Sequence, residues 1–214
     1  MLYKIADYFN THSEQIIKQL GIHMKISLTA LLIAAAVGIP CGYLASKSKV
    51  AESIVTTPFE MLRLVPSLAL LIIMIPTIGT GVTPAVIAMV ILATPPVLLN
   101  TIVGFNTVPE IMIEAAKGIG MTDREILCKI RIPLALPMIL AGIRTGLIEV
   151  IASTTLAAKI GAGGLGEIIF TGLGLNRTEL LLIGGVLVAA LSLMAGMVFD
   201  GITHRILSYK YTKK

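Results

Sequence analysis

Long apolar runs separated by short polar stretches dominate this chain, and five of them reach the roughly 20 residues that a helix needs to cross a bilayer. They cover about 25–46, 53–78, 84–106, 134–157 and 179–203. The pattern predicts an all-α, polytopic membrane protein with about five transmembrane helices. Residues 2–20 read differently. Apolar positions 5, 8, 9, 16, 17 and 20 share a side of a helix, which predicts an amphipathic segment on the outer surface. The resulting organisation is an N-terminal external segment over 1–22, a transmembrane domain over 23–206 and a cytoplasmic tail over 207–214. Small residues recur at helix-contact spacing, Gly38–Gly42 and Gly142–Gly146, and prolines fall inside the runs at 40, 58, 66, 76, 95 and 96. Both features predict kinked helices in close contact rather than straight anchors.

One polar interruption stands out. Within "EAAKGIGMTDREILCKIRIPLALP" (114–137) lie Glu114, Lys117, Asp123, Arg124, Glu125, Lys129 and Arg131. Thr107 with Glu110, and Thr122 with Glu125, each have the spacing of a capping box, in which a hydroxyl and a carboxylate satisfy each other's backbone N–H groups. The segment 107–133 therefore predicts two short helices joined at Gly118 or Gly120, with Pro133 ending the second. Such an element serves either as a connector over the base of the bundle or as a knob that inserts into a partner.

Composition narrows the setting. The chain of 214 residues is 56% hydrophobic and 14% charged, against roughly 25% charged for a soluble domain. The net charge of +5 is spread among apolar runs without stacking aromatics, which argues against nucleic acid. Five spans place Lys47, Lys49, Lys117, Arg124, Lys129, Arg131, Arg205, Lys210, Lys213 and Lys214 on one side. Lys4, Lys18, Lys25, Lys159 and Arg177 fall on the other. Positive charge favours the cytoplasmic face, so the N-terminus is expected outside and the 107–133 segment and C-terminus inside. The start of the chain lacks the pattern of a signal peptide. Cys41 and Cys128 have no metal or disulfide spacing, and His12, His23 and His204 read as solvated or interfacial. The chain carries no G-x-x-x-x-G-K-[ST] phosphate loop and no catalytic dyad, so it is not expected to be an enzyme.

The stretch at 114–133 closely resembles the EAA loop of bacterial ABC-importer permeases. Glu114, Ala115 and Ala116 stand at the start of that motif, Gly120 at its glycine and Ile130-Arg-Ile-Pro133 at its end, with Ile132 where leucine is usual. "RLVPSLALLIIMIPTIGTGVTPAVIAMV" (63–90) and "AGIRTGLIEVIASTTLAAKIGAGGLGEIIFTGL" (141–173) are similar to the permeases of osmoprotectant importers, which carry glycine betaine, carnitine or choline. The resemblance covers the chain from about residue 23 onward and implies a type I importer permease fold. It implies a transport subunit in a bacterial cell membrane. Partner ATPase subunits would bind ATP and Mg and hydrolyse the ATP. A second permease subunit, alike or different, and a separate substrate-binding protein would complete the machine. By the family's pattern, Glu114, Ala115, Ala116 and Gly120 couple the pathway to the ATPase.

Charges at membrane depth are functional candidates because isolating them there is costly. Arg144 and Glu149 lie in the fourth run, five residues apart and so not on one helix face. They are candidates for the pathway or a gate, or Arg144 neutralises a neighbouring span. Glu60 and Arg63, three apart, are expected to pair. Gly163 and Gly164 in "GAGGLG" belong to an outer loop or re-entrant element that lines a gate, meets the binding protein or simply turns the chain. Ten scattered aromatics without Trp give no aromatic cage for a quaternary ammonium. A permease for another small zwitterion such as methionine stays open, as does a non-transporting scaffold or channel subunit.

Overall fold

The structure, a computed structural model, describes residues 2–207. The expected cytoplasmic tail at 207–214 therefore lies outside the described residues apart from Leu207. Among these residues the chain is helical throughout, without strands: α1 (Leu2–Ala45), α2 (Lys49–Leu62), α3 (Ser67–Ile78), α4 (Val82–Asn106), α5 (Glu110–Gly118), α6 (Asp123–Ile126), α7 (Ile132–Ala157), α8 (Gly166–Gly174) and α9 (Thr178–Ile206). Four helices are long and apolar enough to cross a membrane, and five spans result if the bent pair α2–α3 counts as one.

Helix α4 sits at the centre. It is the most buried of the long helices, and α1 and α7 both pack against it and against each other. The glycine pairs make this possible. A Cβ on Gly42 would lie 2.8 Å from the Leu98 carbonyl oxygen of α4, and one on Gly142 would lie 2.7 Å from the Pro96 oxygen. Both pairs predicted from spacing thus close onto the same helix. Ile26, Ala30, Leu71, Ala88, Met89, Ala93 and Val150 form the main apolar core where α1, α3, α4 and α7 meet. The outer flanks of α9, including Leu193, Met194 and Met197, are exposed, as lipid-facing residues of a spanning helix would be.

Three expectations change. First, residues 2–20 are not a separate surface helix. They continue into the first span as α1, 44 residues long, with one kink at His12 (φ −120°, ψ 20°). At about 1.5 Å per residue α1 is roughly twice as long as a bilayer core is thick. Its N-terminal half projects beyond the spans, and Ile5, Tyr8, Ile16 and Leu20 pack onto Leu165, Ile168, Leu180 and Ile183. Those four of the six apolar positions meet protein, while Phe9 and Ile17 stay exposed.

Second, the run 53–78 is not one straight span. It breaks between Leu62 and Ser67 and turns by 92°. Pro66 starts α3 in an extended conformation (φ −60°, ψ 131°), and a residue before proline is steered away from helix, so α2 cannot continue.

Third, Pro133 does not end the second short helix. Leu127–Arg131 form a π-turn, in which the Ile132 N–H bonds the Leu127 carbonyl five residues back. This shifts the hydrogen-bond register just ahead of Pro133, whose missing N–H falls in the first turn of α7, where a proline is tolerated. α6, the π-turn and α7 are one continuous rod.

Candidate functional site

The charged segment forms a helical hairpin at one end of the bundle. α5 ends in a Schellman turn: the Met121 N–H bonds the Ala116 carbonyl and the Gly120 N–H bonds the Lys117 carbonyl, each at 3.0 Å. Gly120 takes the left-handed position at φ 82°, where a side chain is strained. Gly118 lies inside the helix, so Gly120 is the glycine that turns the chain. The capping box at Thr122 is present. Its hydroxyl accepts from the Glu125 N–H at 3.4 Å and the Glu125 carboxylate accepts from the Thr122 N–H at 3.0 Å. Lys129 adds an ion pair to Glu125 at 2.9 Å.

The capping box expected at Thr107 is absent. Thr107 closes α4 instead: its N–H bonds Val103, and its hydroxyl donates to the Gly104 carbonyl at 2.8 Å. With Thr107 occupied, α5 starts from Pro109 without a side-chain cap.

The four motif residues divide between two faces. Ala116 is buried against the hairpin's own interior, whereas Glu114, Ala115 and Gly120 are exposed. Ile111, Ala115 and Ile119, spaced four apart, line the outer face of α5, with Ile111 74% and Ile119 80% exposed. An apolar stripe of this kind, flanked by Glu114 and Lys117, suits a protein groove better than open water. Between the hairpin and the end of α1 lies an open cavity of about 350 Å³ bordered by Lys47, Lys117, Asp123 and Arg131.

The charges within the spans are arranged differently. Arg144 on α7 grips Asp200 on α9 with both arms, Nε to Oδ1 at 2.6 Å and Nη2 to Oδ2 at 2.9 Å. Arg144 thus neutralises a neighbouring span. Asp200, a lone acid in "MAGMVFDGIT", is the partner that inspection of the fourth run alone misses. Glu149 is half-buried, and among the described residues no hydrogen bond or ion pair is found for it. The expected Glu60–Arg63 pair is not among the ion pairs of the described residues. Arg63 is the C-cap residue of α2 at the 92° bend.

Gly163 and Gly164 are buried, at φ 82° and 88°. They form a tight turn before α8 that docks on α1. Gln19 Oε1 accepts from the Gly164 N–H at 2.7 Å, and the Gln19 amide reaches Glu167. His23 Nδ1 faces the Leu165 N–H at 3.3 Å, and its Nε2 faces the Ile151 carbonyl at 2.9 Å. Those partners assign the single ring proton to Nε2. Ser27 and Thr154 share a hydroxyl bond at 3.1 Å. His23 is fully buried, contrary to the solvated or interfacial setting expected of it. It is the middle of a polar stripe, Gln19–His23–Ser27, whose spacing of four was visible in the sequence.

Comparison with known proteins completes the description. The family described as binding-protein-dependent transport system inner membrane component matches residues 34–211. The carnitine transport permease protein OpuCB of Listeria monocytogenes is 38% identical over 202 residues, covering 94% of this chain and 93% of that protein. The choline transport system permease protein OpuBB of Bacillus subtilis (strain 168) is 35% identical over 197 residues, covering 92% and 91%. In structure, the chain is similar to a subunit of the inward-facing MetNI methionine ABC transporter, with TM-score 0.73 and 20% identity over 90% of this chain and 98% of that one. At this identity the likeness is one of fold. The family match over residues 34–211 and the sequence similarity along nearly the whole length show it: the chain belongs to the family of binding-protein-dependent transport system inner membrane components.

Proposed function

We propose that this chain is the pathway-forming permease subunit of an ATP-driven importer for osmoprotectants of the glycine betaine, carnitine and choline class. The observation that carries the reading is the near-full-length similarity to permeases of carnitine and choline transport systems. A separate ATPase supplies the energy, a separate binding protein delivers the substrate, and a second permease subunit completes the pathway. The hairpin side faces the cytoplasm, in line with its lysines and arginines, and the N-terminal half of α1 lies outside.

The geometry supplies a route for the stroke. The ATPase takes hold of the exposed Ile111–Ala115–Ile119 face, with Glu114 beside it for a basic partner. Movement of the hairpin passes through the π-turn into α7 without a hinge, because α6 and α7 are one rod. α7 packs against α4, α1 and α9 and carries Arg144 and Glu149. A rigid element with two resting positions is what coupling between distant sites requires. The access of the pathway thus alternates as α7 is displaced.

The test is ATP-driven uptake of labelled glycine betaine, carnitine, choline and methionine by proteoliposomes holding this chain with its ATPase and binding protein. Accumulation of at least one of the first three, and not of methionine, is expected. No accumulation of the betaine class refutes the substrate assignment.

A further inference from the structure

The cavity between the hairpin and the end of α1 gathers charge that nothing balances. Three elements of this chain line its volume of about 350 Å³: Tyr43 and Lys47 at the end of α1, Ile113 and Lys117 on α5, and Asp123 and Arg131 on α6 and the π-turn. Three cations therefore border one cavity against the single carboxylate of Asp123. Among the described residues none of these four charged groups is in an ion pair, whereas Lys129, Arg144 and Arg177 each hold a carboxylate at 2.9 Å or less. Like charges around one cavity repel, and an anion between them relieves the repulsion.

The cavity stands where α1 leaves the membrane. The apolar run of α1 ends at Ala45, and a tyrosine followed by a lysine is the combination that marks a membrane surface. Lys47 Nζ lies 4.7 Å over the Tyr43 ring, and that ring rests on Phe105 of α4 with centroids 4.9 Å apart. The ring fixes where the ammonium stands but leaves its charge in place. The cavity also lies away from the face assigned to the ATPase. At about 100° per residue, Ile113 and Lys117 each stand roughly 160° round α5 from Ala115. A partner that grips the Ile111–Ala115–Ile119 face leaves this side of α5 turned toward α1.

We infer that this cavity binds an anionic phosphate group, carried on a lipid headgroup or free in solution. Three cations less one carboxylate leave a surplus of two positive charges, which a phosphate offsets. The planar fork of Arg131 suits two phosphate oxygens, and Lys47 and Lys117 add point charges from two other elements. The cavity is larger than a phosphate alone, and the Tyr43 ring and Ile113 give an apolar wall to the ester arm of a phosphodiester. Basic pockets at the ends of spanning helices hold anionic headgroups through the same chemistry. Among the described residues no ion pair joins the end of α1 to the hairpin, so a bound phosphate is the polar bridge between them.

The test uses the full chain purified in detergent and is independent of what the chain transports. Phosphatidylglycerol and phosphatidylcholine are offered in equal amounts, and retained lipid is counted by native mass spectrometry. Binding of radiolabelled inorganic phosphate is measured on the same preparation. With a lipid as the source, wild type retains phosphatidylglycerol over phosphatidylcholine, and Lys47→Gln with Arg131→Gln lowers that preference about fivefold or more. With a soluble source, wild type shows no lipid preference but binds inorganic phosphate, and the same pair of changes weakens that binding to the same degree. Lys47→Gln alone, at an exposed position where the fold is undisturbed, lowers whichever binding occurs by about threefold, and serves if the double variant does not fold. Arg124→Gln with Lys129→Gln removes equal charge from the hairpin outside the cavity and leaves binding unchanged. Wild type that favours neither phosphatidylglycerol nor inorganic phosphate overturns the site. So does a cavity variant that binds as wild type does, or a control pair that loses as much as the cavity pair.

Discussion

Arg144 and Asp200 tie α7 to α9 through two parallel bonds of 2.6 and 2.9 Å. Gly196, one turn before Asp200 on α9, lies beside the guanidinium, where a Cβ would make only ordinary contact with Nη2 at 3.9 Å. α9 is the least buried long helix, and this pair adds a polar tie to the apolar contacts it makes through Leu180, Ile183, Leu191 and Phe199. Removing one partner leaves a charge at membrane depth without its counter-charge. Arg144→Ala and Asp200→Ala are each expected to lower the melting temperature of the detergent-purified complex, and the exchanged pair Arg144→Asp with Asp200→Arg to regain part of the loss. Equal melting temperatures for all four proteins would show the pair to be incidental.

Two glycines separate backbone freedom from space. Gly120 needs φ 82° but has open space around its Cβ position, whereas Gly142 has an ordinary φ and a carbonyl oxygen at 2.7 Å. Gly120→Ala should cost about 1 kcal/mol of local strain in the hairpin. It should reduce uptake while leaving the yield of folded chain unchanged. Gly142→Ala forces α7 away from α4 and should cost about 1–3 kcal/mol of global stability. Thermal melts and uptake measured on the same preparations distinguish them: the first variant moves uptake more than the melt, the second moves both.

The two threonines of the charged segment make opposite predictions. Thr122→Ala removes a cap worth about 1 kcal/mol, and amide exchange at Glu125 should accelerate. Thr107→Ala should leave α5 exchange unchanged, because Thr107 bonds back into α4 rather than forward. Acceleration in α5 after the Thr107 change would restore the capping box that spacing alone suggests.

His23 holds three elements together with one ring. His23→Leu fills similar volume but leaves the Leu165 N–H without its partner inside the bundle, at about 1–3 kcal/mol, while the Ile151 carbonyl keeps its place in the α7 ladder. The expected results are a lower melting temperature and faster exchange of the Leu165 amide, with His23→Gln recovering part of both. An unchanged Leu165 amide in the Leu variant would remove the ring from the docking of the glycine turn.

How much of this was legible before the structure depended on the range of the interaction. The spans were visible because roughly 20 apolar residues in a row admit few other readings. Gly38–Gly42 and Gly142–Gly146 were visible because helix contact leaves a spacing of four, although nothing in that spacing says that both pairs close on α4. The hairpin was legible through Thr122, Glu125 and Gly120, which act within a few residues. Thr107 misled because the same local pattern fits two neighbouring helices and the longer one took the residue. The pairing of Arg144 with Asp200, 56 positions apart, leaves no local trace. The 92° bend was hidden because hydropathy does not record direction, and only Pro66 marked it. His23 read as solvated because a lone histidine was considered without Gln19 and Ser27, four residues to either side.

The most direct measurement compares ATP-dependent glycine betaine accumulation by the complete importer carrying either wild-type chain or Ala115→Trp. The indole would stand on the exposed face of α5 between Ile111 and Ile119, away from the bundle, so the chain should fold and insert as before. The account predicts accumulation that requires ATP in the wild type, and background accumulation with loss of ATPase co-purification in the variant. A wild type that accumulates nothing, or a variant that retains the ATPase and accumulates betaine at the wild-type rate, would contradict it.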